Sequence, residues 1–170
     1  MKVIAHSPHT DEATARKFRC KLVSFDELLA KSDVITLHAP LTPETKHMIN
    51  AETIAKMKKG AMLVNTARGG MVDAKALLAA LDSGQIAAAG LDVLEEECNV
   101  KEERQVLSPE FAGECDLKAV LANNILLNKP NVIITPHNAF NSSEALQRIL
   151  DTTRANIEAF GQGQAQNTVG

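Results

Sequence analysis

The chain has 170 residues, 45% of them hydrophobic, with a formal net charge of -3. That is enough for one domain with a real core, and it lacks the basic footprint that nucleic-acid binding requires. No apolar run approaches the ~20 residues of a membrane helix, and Met1-Lys2-Val3-Ile4-Ala5 is too short for a signal peptide and offers no small-residue cleavage site.

Other classes fall away on residue types. The chain has no tryptophan or tyrosine, so aromatic platforms for single-stranded nucleic acid are absent. Its cysteines, Cys20, Cys98 and Cys115, are odd in number and form no CxxC pair. This predicts free thiols in a reducing cytoplasm, not a disulfide framework or a zinc site. The spacing of His6, His9, His38 and His47 gives no metal site, and these residues read as structural or surface groups.

Along the chain, short apolar runs alternate with helix-like segments. That is the pattern of βαβ units and a parallel sheet. The predicted strands are Lys2–Ala5, Val34–Leu37, Met62–Val64, Ala88–Val93 and Val132–Thr135. Most are continuous apolar runs, as expected for strands covered on both faces. Ser24 to Glu27 reads as a capping box. Asn50 is placed to cap a helix ending near Gly60, and Asp73 one ending near Gly84. Residues 95–130 read as a long excursion containing a helix over Cys115–Leu121. Helical spacing then returns at Leu146, Ile149, Leu150 and Ile157, predicting a closing helix from about 142 to 160.

A complete dinucleotide-binding fold opens with a strand, a GxGxxG turn and a helix. No such turn is present; the sole GxG is Gly161-Gln162-Gly163, near the end of the chain. The reading is therefore a Rossmann-like α/β fold with a doubly wound parallel sheet, beginning at what corresponds to the second strand. Residues 1–170 would be a partial dinucleotide-binding domain, without a separate substrate domain. Such a sheet leaves an unpaired edge, which predicts a homodimer through that surface or poor solubility.

The most informative stretch is Asn65-Thr66-Ala67-Arg68-Gly69-Gly70-Met71-Val72-Asp73. It sets an arginine at the C-terminal end of a strand, where open α/β sheets bind ligands. A guanidinium there can grip a carboxylate with two parallel hydrogen bonds. Three more segments follow predicted strands in order: His38 to Thr45, Gly90 to Glu97, and Thr135-Pro136-His137-Asn138-Ala139-Phe140. Together the four segments resemble the D-isomer-specific 2-hydroxyacid dehydrogenases, D-lactate dehydrogenase-like members above all, over nearly the whole chain.

That resemblance implies an oxidoreductase acting on a small 2-oxo acid, such as pyruvate, or its D-2-hydroxy acid. His137 would be the general acid–base, Glu97 its carboxylate partner and Arg68 the clamp on the substrate carboxylate. Ala39 and Pro40 would line the adenosine side of NAD, and Thr45 its pyrophosphate or ribose. Thr66 and Ala67 would pass near the nicotinamide ribose, and Asp92 would accept a hydrogen bond from the carboxamide. Ser7 stands where NAD-specific relatives carry an acid, so NADP is the alternative cofactor. Two other readings of the same motifs are a dinucleotide-sensing corepressor module and a catalytically silent fragment.

Overall fold

The four strands that carry the site are built from alternating residues. In the computed structural model, which describes residues 1–8, 10–95 and 117–168, they are β3 (Val34–Leu37), β4 (Ala61–Asn65), β5 (Ile86–Leu91) and β6 (Val132–Ile134). They pair in parallel in the order β3-β4-β5-β6. Two shorter strands, β1 (Ile4–Ala5) and β2 (Lys21–Leu22), form a separate parallel pair. The helices are α1 (Glu12–Lys17), α2 (Phe25–Lys31), α3 (Ala51–Ala55), α4 (Ala74–Ser83), α5 (Leu117–Leu127) and α6 (Ser143–Gly161). Met1–His137 forms one compact unit and Asn138–Gly170 a second.

Within the first unit the core gathers on one face of the four-stranded sheet. Ile35, Leu37, Leu63, Ile86, Ala89 and Leu91 are buried there with Leu77 and Leu81 of α4 and Leu126 of α5. Ile86 and Ala89 share that face although they are three apart. The register shifts between Ala61 and Met62, so Ala61 faces Ile86 while Met62 faces Ala88, and Ala87 is the extra residue. The opposite face carries Val34, Met62 and Ile133, all exposed, Ile133 at 72%. The apolar runs therefore do not mark strands covered on both faces at these positions. A parallel strand with one open face still reads as apolar when its outward positions are valine, methionine and isoleucine.

The helix ends follow the local chemistry. Asp73 caps α4 by accepting from the backbone N–H groups of Lys75 and Ala76, and Gly84 closes it in the left-handed region at φ 71°. Asn50 caps α3 in a reciprocal box with Thr53, but α3 stops at Ala55, short of Gly60. Ser24 caps α2 through the Glu27 N–H, while the Glu27 carboxylate turns to Lys31 instead of completing the box. At α1 the Thr14 backbone N–H holds the Asp11 carboxyl below the usual carboxylate range. The sequence pattern missed α1 and β2, both short and weakly periodic. It also cut α5 short, at Leu121 instead of Leu127.

The second unit contains α6, capped by Ser142. Its predicted apolar stripe exists, but Leu146, Ile149, Leu150 and Ile157 are all exposed and no residue of α6 is buried. Helical periodicity specifies a face, not the surface that covers it.

Leu63, at 0% exposure in the middle of β4, tests the one-faced core. Leu63→Ala should cost about 2–5 kcal/mol in chemical denaturation. A loss below about 1 kcal/mol would contradict such packing.

Candidate active site

The C-terminal ends of β4, β5 and β6 lie level, because Asn65 pairs with Leu91 and Leu91 with Ile134. Each strand then turns into one of the motif segments of the sequence. These turns emerge beyond the carboxyl edge of a parallel sheet, where α/β folds bind ligands.

After β4, Asn65 is 1% exposed and its side chain shapes the turn. Its Oδ1 accepts from the Ala67 N–H at 3.0 Å, and its Nδ2 donates to the Arg68 carbonyl at 2.9 Å. An asparagine amide can do both at once, which a hydrophobic strand end could not. Thr66 and Arg68 are thereby held exposed, with Ala67 half-buried. The Arg68 Nη1 donates back to the Ala67 carbonyl at 2.7 Å. Gly69 lies against the next segment: a Cβ there would stand 1.6 Å from the Leu94 carbonyl oxygen. No side chain fits, so this position requires glycine for space, not for φ.

After β5, Asp92 is 5% exposed. Its carboxylate accepts from the Thr135 hydroxyl, and its carbonyl accepts from the His137 N–H at 3.0 Å. Asp92 thus fixes the Thr135–His137 corner from both its backbone and its side chain. His137 sits in the left-handed region at φ 51°. Histidine visits that region more readily than most residues, and such backbone strain clusters at functional sites. Glu95 follows, with Oε2 accepting from the Ala74 N–H at 2.9 Å and Oε1 paired with His47 Nε2.

Arg68, Gly69, Gly70, Val93, Leu94, Glu95 and His137 line one cleft of about 350 Å³, with Leu41 and Lys46 at its side. Its chemistry is that of an anion-accepting, acid–base pocket. A guanidinium and an ammonium supply positive charge, an exposed imidazole can carry a proton, and apolar walls surround them.

The remaining predicted positions are not among the residues lining this cleft, or lie beyond the described residues. The Thr45 hydroxyl is spent within its own loop, donating to the Pro40 carbonyl and accepting from the Thr42 N–H, both at 2.7 Å. Ala39 is half-buried and Pro40 exposed beyond β3. The Ser7 hydroxyl accepts from Thr10 at 2.8 Å, near the end of β1. Glu97 lies outside the described residues, as do His9, Cys98 and Cys115. Among the described residues there is no group of three metal-ligating side chains.

Three contributors carried no site role on the sequence alone. Asn65 was part of the motif without a role; its type before a sharp turn was a usable signal. His47 read as a structural or surface residue, and Glu95 lay in the Gly90 to Glu97 segment without a role of its own. They are 48 residues apart and only the fold joins them.

The close approach at Gly69 generates a prediction. Gly69→Ala must push the Arg68 loop off Leu94. Arg68 should lose its place, and binding of a small carboxylate anion in the cleft should weaken by roughly tenfold or more in calorimetry. Unchanged binding with an unchanged fold would refute the assigned geometry.

Comparisons with known proteins show the family and the fold. Residues 1–139 match the family described as D-isomer specific 2-hydroxyacid dehydrogenase, NAD binding domain. The chain is 47% identical over 148 residues to the glycerate dehydrogenase of Methylorubrum extorquens, covering 87% of this chain and 41% of that one. The crystal structure of TP0037 from Treponema pallidum, a D-lactate dehydrogenase, superposes with a TM-score of 0.82 at 35% identity, over 98% of this chain and 47% of that chain. The D-lactate dehydrogenase from Aquifex aeolicus, complexed with NAD and lactic acid, gives 0.78 at 42% identity, over 96% and 47%. The chain therefore spans less than half the length of these relatives. The cleft of Arg68 and His137, the parallel sheet beneath it and the match over residues 1–139 place the chain in the D-isomer specific 2-hydroxyacid dehydrogenase family, in its NAD-binding domain.

Proposed function

We propose that this chain forms the dinucleotide-binding part of an oxidoreductase that interconverts small 2-oxo acids and D-2-hydroxy acids. The observation that carries this reading is the convergence of Arg68 and His137 on one cleft, behind a Gly69–Leu94 contact that admits no side chain. Arg68 binds the substrate carboxylate through its planar fork. His137 hands a proton to the ketone oxygen, or takes one from the alcohol in the reverse direction. Glu97 is its carboxylate partner, stabilising the protonated imidazole.

NAD is the cofactor that the family supports. When bound, its nicotinamide supplies or accepts the hydride at C2 of the substrate. The residues present suit the nicotinamide half: Asp92 is buried at a strand end with its carboxylate oriented by Thr135, as an acceptor for a carboxamide must be. Thr66 and Ala67 bring backbone to the adjacent ribose, and Ala39, Pro40 and Thr45 line the adenosine and pyrophosphate side. Ser7 offers a hydroxyl where an acidic side chain would discriminate against NADP. The relatives act on different acids by name, glycerate and lactate among them, so the substrate is a class and not a single acid. We further take residues 1–170 as one part of a dinucleotide-binding domain, and the protein as a cytoplasmic homodimer. The half-buried free thiol of Cys20 favours a reducing compartment, and the separate β1–β2 and β3–β6 ladders leave strand edges available for pairing.

Calorimetric titration with NADH and, separately, NADPH tests the cofactor assignment. Binding of NADH with weaker binding of NADPH is expected; tighter binding of NADPH would reverse the preference and make Ser7 its cause. In an active protein carrying this sequence, His137→Ala should lower kcat by about 10²–10⁴. Arg68→Ala should fall chiefly on kcat/KM for the 2-oxo acid, with the KM for NADH little changed. Near-normal turnover in both variants would remove the assigned roles.

A further inference from the structure

The Glu95 side chain is 12% exposed, and both carboxylate oxygens and the backbone carbonyl are engaged. Oε2 accepts from the Ala74 N–H at 2.9 Å, at the start of α4. Oε1 meets His47 Nε2. The Glu95 carbonyl accepts from Asn123 Nδ2 of α5 at 2.8 Å. One residue thus joins three parts of the unit that are distant in sequence.

Those bonds surround the Arg68 loop. On one side, the His47 N–H donates to the Gly70 carbonyl at 2.9 Å, the Ile49 N–H to the Met71 carbonyl at 3.0 Å, and the Asp73 N–H returns to the Ile49 carbonyl at 2.9 Å. On the other side, Gly69 presses on the Leu94 backbone. The Glu95–His47 pair ties these two sides together. His47 holds a left-handed backbone at φ 49°, a state that persists in a non-glycine residue when its surroundings over-determine it.

We propose that Glu95 is a positioning residue for Arg68, acting with His47 as a clamp across the loop that presents the guanidinium. This rests on Arg68 being the ligand of the substrate carboxylate. Capping alone does not account for Glu95. Asp73 already caps α4, taking the Lys75 and Ala76 N–H groups, and the second oxygen of Glu95 is bonded to His47. The clamp acts on the loop, and its loss should let Arg68 move while the sheet stays intact.

The test is amide hydrogen exchange on the full chain, read residue by residue, with kinetics alongside. In Glu95→Ala, Gly69 to Met71 should exchange roughly tenfold faster or more, while Met62 to Val64 in β4 keep their protection. His47→Ala keeps the bond to α4 and should reproduce the loosening. Glu95→Gln should restore protection, since its amide oxygen still accepts from Ala74 and its NH₂ can donate to a neutral His47. Asp73→Ala, which removes only the other cap, should leave Gly69 and Gly70 within about twofold of the unsubstituted chain. In a protein with turnover, Glu95→Ala should raise KM for the 2-oxo acid by roughly tenfold with KM for NADH unchanged. Unaltered exchange at Gly69 to Met71, or equal loss of protection there and in β4, overturns the proposal. If the exchange pattern is found but Arg68→Ala leaves KM for the 2-oxo acid unchanged, the clamp stands and the role of Arg68 falls.

Discussion

Parallel strands that end level must turn at the same height, and each turn must satisfy its backbone groups where the ladder stops. Between β4 and β5 that constraint is met by Asn65, whose buried amide serves both Ala67 and Arg68, and by Gly69, whose missing side chain admits the Leu94 carbonyl. The guanidinium at the cleft follows from these two residues. Asn65 sets the direction in which the chain leaves the strand, and Gly69 sets how near the β4 turn lies to the β5 turn. Everything else in the cleft is arranged around that approach.

The next turn repeats the logic with different groups. Asp92 holds the Thr135 hydroxyl with its carboxylate and the His137 N–H with its carbonyl, so the imidazole's position depends on a buried acid at the neighbouring strand end. His137 and His47 both stand in left-handed backbone, one lining the cleft and one bracing it. Backbone strain of this kind persists where the surroundings over-determine a residue's geometry. The strands supply rigidity and the turns supply the chemistry, which is the usual division of labour in α/β folds.

The sheet also bears on what surrounds the site. Its strands form two ladders, β1–β2 and β3 to β6, and no hydrogen-bonded register joins them. The sequence carries no GxGxxG turn, and the chain spans less than half of the relatives it matches. In the proposed reading, the turns after β4, β5 and β6 face the nicotinamide end of a dinucleotide. Val34, Met62 and Ile133 lie open on the sheet face opposite the core.

Much of this was legible in the residues themselves. Val34–Leu37 was bounded correctly, and the strands containing Met62–Val64 and Val132–Ile134 were located, because apolar runs between polar turns are local signals. The caps at Ser24, Asn50 and Asp73 were equally local, since a side chain meets a backbone N–H a few residues away. The four strand-end motifs were enough to name the family, and Arg68 and His137 do line one cleft. Local pattern therefore set the order of the site-bearing strands, the caps of three helices and the residues offered at each strand end. What the tertiary structure decided was everything that depends on residues far apart in the chain. The Glu95–His47 pair, the Leu94 carbonyl that makes Gly69 obligatory, and the open face of the sheet have no signature in local spacing. Periodicity states which side of an element is apolar, but only packing decides what lies against it, and α6 shows the difference.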